Sequence, residues 1–158
     1  MPALSKATRT LACVTALTLA PLATAHMDEK EPLQSYRQSY FALLAANFGP
    51  LGAMAQGDMP WNDEMVQLFA ADLQSVSSLN LMRGFAEGSE RGTTRAKPEI
   101  WENLNDFEAK LQDMRDAVDG LSAVAASGDR EQIAQQIGAV GQACKACHDD
   151  YKSKDYLY

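Results

Sequence analysis

Residues 129–151, with the sequence DREQIAQQIGAVGQACKACHDDY, contain the pattern that decides the fold. Apolar and cysteine side chains recur there at intervals of three or four residues: Ile133, Ile137, Val140, Cys144, Cys147 and Tyr151. This spacing places them on one face of an α-helix and does not fit the alternation of a strand. Asp129 and Gln132 resemble the capping box that opens such a helix. The stretch therefore predicts a one-sided terminal helix.

Three further apolar stripes of the same period lie upstream. The first consists of Leu33, Arg37, Phe41, Leu44, Phe48, Leu51 and Ala55. The second consists of Met65, Phe69, Leu73, Val76 and Leu79, and the third of Ile100, Leu104, Phe107, Leu111, Met114, Val118, Leu121 and Ala125. Helices with one apolar face bury those faces against one another, and most of the links here are short. The chain is therefore predicted to be all-α, an antiparallel up-down four-helix bundle without strands.

Gly, Pro and Asn residues mark the predicted helix boundaries. Pro50 removes one backbone donor and predicts a kink within the first helix, which ends at Gly57. Asn62 is the predicted N-cap of the second helix. Residues 84–97 form the longest predicted loop. Pro98 suits the first turn of the third helix, where its missing N–H has no helical partner in any case.

Length, charge and the first 25 residues limit the class of protein. The chain has 158 residues, enough for one domain, and a net charge of −7, which disfavours nucleic-acid binding. Residues 1–25 have the basic start, apolar centre and small-residue end of a cleaved secretory signal. Their apolar run is shorter than the roughly 20 residues of a membrane anchor. Lys6 and Arg9 are the only charged residues there, so the mature domain, residues 26–158, has a net charge of −9. We expect a periplasmic protein without membrane insertion after cleavage.

Cys144, Cys147 and His148 form the motif C-x-x-C-H, which is typical of covalent haem c attachment. Positions i, i+3 and i+4 share a helix face, so both thiols and the imidazole can address one flat macrocycle. A structural zinc site needs four ligands, and only His26 and carboxylates are available besides the motif. A redox cysteine pair is typically found at the N-terminus of a helix that follows a strand, whereas this pair lies deep in the last helix of an all-helical chain. The remaining alternative is a chance match to the motif. The residues favour one haem c per chain, with His148 on the iron.

The sequence also bears on which residues lie on the side of the iron opposite His148. Ten residues follow His148 and none is His or Met, so a second axial ligand must come from another helix or be absent. Arg37 is the one charge in the first stripe; it either pairs with a haem propionate or extends to solvent and a surface carboxylate. Phe41, one turn later, cannot ligate iron; it either caps the distal face or packs in the core.

Three segments together resemble cytochrome c′, the high-spin branch of the class II c-type cytochromes. They are YRQ at residues 36–38, KPEIW at 97–101 and CKACHD at 144–149. The attachment motif occurs in all c-type cytochromes, whereas its C-terminal position opposite an early Arg-Gln pair is more specific. The resemblance spans essentially the whole mature chain.

The resemblance implies a pentacoordinate haem whose sixth side is a closed apolar pocket that binds NO and CO and discriminates against O2. It also implies an antiparallel homodimer packed largely through the first two helices. By position, the family's site residues are Cys144 and Cys147 on the haem, His148 as proximal ligand, Arg37 and Gln38 beside the propionates, and Phe41 as distal cap.

Two positions depart from the family's usual residues. Phe41 stands where Leu or Met is frequent, which predicts restricted entry or slower ligand binding. Lys152 stands where many members have Arg, and lysine is a poorer planar stacking and bidentate partner. Arg95, in the long loop, either approaches a propionate or is a solvated charge.

These features predict a sensor, buffer or carrier of NO, and not an enzyme. An apolar pocket without a donor offers no hydrogen bond to favour O2 over the less polar CO and NO. One alternative is a low-spin class II cytochrome that carries electrons through a six-coordinate haem. Another is a redox enzyme that turns over NO or peroxide. The sequence does not indicate the redox partner.

Overall fold

The computed structural model describes residues 30–157, so the predicted signal at 1–25 and His26 lie outside the described residues. The helices are α1 (Pro32–Gln56), α2 (Asp63–Ser77), α3 (Glu99–Glu102), α4 (Leu104–Ala125) and α5 (Arg130–Tyr151), with one 3-10 helix, Leu81–Phe85, between α2 and α3. Within the described range, no helix is both long and apolar enough to cross a bilayer.

The four long helices form the bundle. Helix α1 packs on α2, α2 on α4, α4 on α5, and α5 returns to α1. The prediction of an all-α four-helix bundle is confirmed. Across residues 30–157, the only strand-like pairing is one isolated antiparallel bridge between Ala96 and Lys152, which joins the segment before α3 to the residue after α5.

The predicted helix caps are present. The Asn62 side chain accepts a hydrogen bond from the Met65 amide at 3.0 Å, and the Asp129 carboxylate accepts from the amides of Glu131 and Gln132. These bonds satisfy amides that the first turn of a helix leaves without partners. Helix α1 ends at Gly57, whose φ of 85° is the left-handed conformation that favours glycine.

The third and fourth stripes coincide with the observed core. In α4 the buried residues are Phe107, Leu111, Met114, Val118, Leu121 and Ala125, and in α5 they are Ile133, Ile137, Val140 and Tyr151. The third predicted helix is, however, divided at Asn103, whose side chain donates to the Glu99 carbonyl at 3.0 Å. This side-chain bond accompanies a local break, so Leu104 begins a new helix and is partly exposed.

The first two stripes match the observed core only in part: Arg37, Leu51 and Leu73 are buried as the stripes predict. The buried residues are Arg37, Tyr40, Leu51 and Met54 in α1, and Val66, Ala70, Leu73 and Ser77 in α2. Helix α1 has two apolar faces, because Phe41, Leu44 and Phe48 line a cavity while the buried set packs in the core. In α2 the smaller side chains occupy the packed centre, and Leu79 lies exposed beyond the helix end. Helix α1 continues through Pro50.

Candidate haem site

A cavity of about 790 Å³ lies between α1, α4 and the end of α5. The segment before α3, residues 94–96, closes part of its rim. Its volume is within the range of about 300–1,000 Å³ that is usual for ligand and cofactor sites. Cys144, Cys147 and His148 all lie on its wall, so the structure brings the whole sequence motif to one cavity.

The motif lies in the last two turns of α5, where its spacing gives the three side chains a common face. Both cysteines are half-buried and free. Burial raises the pKa of both thiols, that of Cys147 to about 11, with the Lys110 charge acting against the rise. Burial also lowers the pKa of His148, and the positive charges of Lys152 and Arg95 add to this effect. A histidine with a lowered pKa is neutral at pH 7, the form that can ligate a metal.

The cavity wall combines an apolar surface with positive charge. Helix α1 contributes only apolar side chains between positions 41 and 48: Phe41, Ala42, Leu44, Ala45 and Phe48. The charged side chains in the lining are Arg37, Arg95, Lys110, Lys145 and Lys152. Among the described residues of the lining there is no Asp or Glu, although the chain is acidic overall. A flat apolar macrocycle with two carboxylates fits such a wall, so the residues present fit haem c.

The environment of Arg37 contradicts one of the two sequence interpretations. The side chain is only 3% exposed, so it does not extend to solvent. Its Nη1 donates to the Gly84 carbonyl at 2.6 Å and to Ser89 Oγ at 3.1 Å, and its Nη2 donates to the Ser89 carbonyl at 3.0 Å. The guanidinium carbon also lies 5.0 Å from the centroid of the Phe85 ring. Neutral acceptors therefore satisfy its outer nitrogens, so a buried guanidinium at this position does not require an anion.

The other predicted propionate residues also contact backbone at the cavity rim. Gln38 lines the cavity and donates from Nε2 to the Thr93 carbonyl at 2.6 Å. Arg95 is half-buried and donates from Nε to the Ser153 carbonyl at 2.9 Å, so it is not a freely solvated loop charge. Lys152 lies on the same rim. Contact of Arg37, Gln38 or Arg95 with a propionate remains a prediction.

Phe41 lies on the cavity wall, and its role as a distal cap remains a prediction. Its ring lines the cavity, is 37% exposed and meets the buried Tyr40 ring edge-on at 5.4 Å between centroids. Tyr40 is itself fixed by a hydrogen bond from its hydroxyl to the Ser77 carbonyl at 3.1 Å. The position of Phe41 is therefore set by core packing and still faces the cavity, so the two sequence interpretations are compatible.

Several residues that were not singled out from the sequence reach the cavity, among them Met114 and Lys110. Met114 is buried in α4 and lines the wall; its place in the third stripe had indicated only core packing. Lys110 lies on the same helix one turn before it and also lines the wall. Lys110 lies three residues after Phe107 and one before Leu111. This spacing indicates that the aliphatic part of its side chain borders the apolar face of α4.

Known proteins are similar to this chain in both sequence and fold. A sequence profile of the cytochrome c′ family matches residues 33–152. Cytochrome c′ of Rubrivivax gelatinosus is 40% identical over 120 residues, covering 75% of this chain and 92% of that protein. Cytochrome c′ of Cereibacter sphaeroides is 36% identical over 135 residues, covering 84% and 90%. A solved nitric oxide complex of a mutant cytochrome c′ from Alcaligenes xylosoxidans is 35% identical, with a TM-score of 0.71, and covers 79% of this chain and 96% of that chain.

Proposed function

Since this chain belongs to the cytochrome c′ family of c-type haem proteins, we propose that it binds NO and CO at a high-spin haem with His148 as the only protein ligand of the iron. Cys144 and Cys147 hold the haem covalently. The nitric oxide complex of the Alcaligenes xylosoxidans relative supports NO as a ligand. The role is that of a sensor, buffer or carrier of NO and not of an enzyme.

The observation that carries this proposal is the apolar wall of α1 across the cavity from α5. When bound, the haem iron supplies the coordination position for the gas. Phe41, Leu44 and Phe48 exclude water from that side and present no hydrogen-bond donor. NO and CO need no donor, whereas O2 binding is favoured by one, so the side chains themselves select among the gases.

The proposed location is the periplasm. Its support is the sequence of residues 1–25, with a basic start, an apolar centre and Ala23-Thr24-Ala25 at the end. Covalent haem attachment through two thiols suits an exported chain in which those thiols are the only cysteines after cleavage. Mass spectrometry of the protein from a periplasmic extract tests this location: we expect a chain that begins at His26, and an uncleaved chain contradicts it.

Phe41 provides the test of ligand entry. Replacing it with alanine opens the cavity rim without adding a polar group, so the barrier to entry falls. A decrease of about 1.4 kcal/mol makes CO association with the ferrous protein roughly tenfold faster. Stopped-flow mixing measures this rate. Ser39→Ala, at an exposed position of the same helix outside the cavity lining, is the control and leaves the rate unchanged. Equal rates for wild type and Phe41→Ala would show that Phe41 does not limit entry.

A second function, electron transfer by a six-coordinate haem, is favoured by one observation: Met114 lines the cavity. A thioether from α4 would be the second axial ligand. Under the principal proposal Met114 only packs, so Met114→Leu leaves the ferrous visible spectrum unchanged, with Met54→Leu as a buried control. A change from low-spin to high-spin bands in Met114→Leu alone would establish the electron-transfer function instead.

The proposal includes an antiparallel homodimer through α1 and α2. The resemblance suggests this arrangement, and exposed leucines on both helices support it: Leu43 is 49% and Leu68 58% exposed. Sedimentation velocity is expected to show a dimer for wild type and a monomer for Leu43→Glu combined with Leu68→Glu, because a glutamate at a buried interface loses hydration. Leu79→Glu, an exposed leucine beyond α2, is the control. A wild-type monomer contradicts this part of the proposal.

A further inference from the structure

A polar cluster joins α4 to the last turn of α5. The α4–α5 polar cluster consists of Asp106, Lys110, Asp150 and Tyr151. Lys110 Nζ lies 3.1 Å from Asp150 Oδ2 and 4.0 Å from Asp106 Oδ2. The Tyr151 hydroxyl donates to Asp106 Oδ2 at 2.5 Å. The two helices therefore share an ion pair and a hydrogen bond to a charged group at this level.

Two members of the cluster, Lys110 and Tyr151, are protected from solvent, whereas the carboxylates of Asp106 and Asp150 are 58% and 56% exposed. The Lys110 side chain is 24% exposed, whereas Lys145, which pairs with Asp149 within α5, is 73% exposed. The Tyr151 ring is buried and meets the Phe107 ring edge-on at 5.4 Å. The hydrogen bond to Asp106 raises the pKa of Tyr151 to about 12, so the phenol keeps its proton at pH 7. Partly buried, charge-assisted bonds of this kind are stronger and less screened than exposed ones.

The cluster contacts the last turn of α5, next to the residues of the haem-attachment motif. Helix α5 ends at Tyr151, and Cys147 and His148 lie in its last two turns. Terminal turns are the part of a helix that opens most readily, because their carbonyls lack helical partners. On the other side, Lys97 Nζ donates to the carbonyls of Asp149 and Asp150. The residues that carry the chemistry thus depend on contacts from outside α5 for a fixed orientation.

We propose that the α4–α5 polar cluster fixes the last turn of α5 and so sets the orientation of the His148 imidazole, with Asp106 and Lys110 as positioning residues. This inference rests on the proposed function in one respect, the attachment of haem beside His148. The cluster acts on the imidazole through the backbone of α5. Lys110 and Tyr151 also line the cavity, so Asp150, which does not, is the position that tests this action.

Two neighbouring aspartates provide a matched pair of variants. Asp150→Asn removes the ion pair with α4, and Asp149→Asn removes the same charge, next to His148, while affecting only a pair within α5. In hydrogen–deuterium exchange of the holoprotein, we expect the amides of residues 148–152 to exchange about fivefold faster in Asp150→Asn, in line with a partly exposed ion pair. Asp149→Asn leaves the rate within about twofold of wild type.

The second readout is the iron–imidazole stretching band in the resonance Raman spectrum of the ferrous protein. Asp150→Asn and Tyr151→Phe each broaden or shift this band, Asp149→Asn does not, and Lys110→Arg preserves it. Unchanged exchange and an unchanged band in Asp150→Asn overturn the inference. The inference is also overturned if Lys110→Met changes amide exchange or the band while Asp150→Asn changes neither. In that case Lys110 acts on the cavity directly and not through α5.

The two readouts separate this inference from the proposed function. If the wild-type protein has covalent haem but no iron–imidazole band, the assignment of His148 fails. Amide exchange still tests the cluster in that case, because it depends only on the α4–α5 contacts. If wild type shows the band and Asp150→Asn leaves both readouts unchanged, the cluster has no positioning role and the proposed function stands.

Discussion

Replacing both Cys144 and Cys147 with alanine is expected to abolish covalent haem attachment completely. Each thiol supplies one thioether to the macrocycle. A thioether survives denaturation, whereas the proposed bond from His148 to the iron would not. Haem staining of a denaturing gel and the intact mass of the purified protein measure the effect: wild type retains one haem per chain and the double variant none. Either single variant can retain haem through the remaining thioether.

Lys145→Ala is the control for this experiment. It lies between the two cysteines, lines the same cavity and carries no thiol, so attachment proceeds as in wild type. Covalent haem in the double variant would contradict the assignment of the motif. A wild-type chain without covalent haem would contradict it equally.

Arg37→Leu is expected to destabilise the folded protein by about 3 kcal/mol. The change leaves the Gly84 carbonyl without its Arg37 donor, and a buried unpartnered group costs about 1–3 kcal/mol. The Ser89 carbonyl keeps only a longer bond, from Gln34 Nε2 at 3.5 Å. It also removes the contact of the guanidinium with the Phe85 ring. In the native fold the Arg37 guanidinium, like the other buried side-chain nitrogens and oxygens of residues 30–157, has hydrogen-bond partners. Urea unfolding of the holoprotein measures the loss.

Gln38→Ala is the matched control for Arg37. Gln38 is the next residue, is exposed and makes one hydrogen bond, to the Thr93 carbonyl, so its replacement costs about 1 kcal/mol or less. A loss for Arg37→Leu no greater than that of Gln38→Ala would mean that the contacts to residues 84–89 contribute little. Arg37 would then serve mainly as a partner of the haem.

The buried residues of α4 and α5 were predicted correctly from the sequence, because each of these helices packs through a single face. Helices α4 and α5 each bury a single stripe, so the residues spaced at three and four positions are also the buried residues, from Phe107 to Ala125 and from Ile133 to Tyr151. Cys144 and Cys147 continue that stripe onto the cavity wall. The position of the site followed from the same periodicity as the fold.

The buried face of α1 and the contacts of Arg37 and Lys110 could not be predicted from periodicity alone. Helix α1 faces both the core and the cavity, so its apolar residues fall on two faces. Tyr40, which the first stripe omits, is buried, and Phe41, which the stripe includes, is 37% exposed. The acceptors of Arg37 belong to residues 84–89, an irregular segment whose path no repeat reveals. Lys110 and Asp150 are 40 residues apart, and only the packing of α4 on α5 brings them together.

The measurement that tests the central claim most directly is the visible spectrum of the purified protein, ferric and ferrous, before and after addition of CO. With His148 as the only axial ligand and the apolar wall of α1 opposite, the ferrous spectrum is expected to be broad and high-spin and to change when CO is added. A sharp low-spin ferrous spectrum that CO does not alter would contradict the account. It would assign a second axial ligand to the chain and its function to electron transfer.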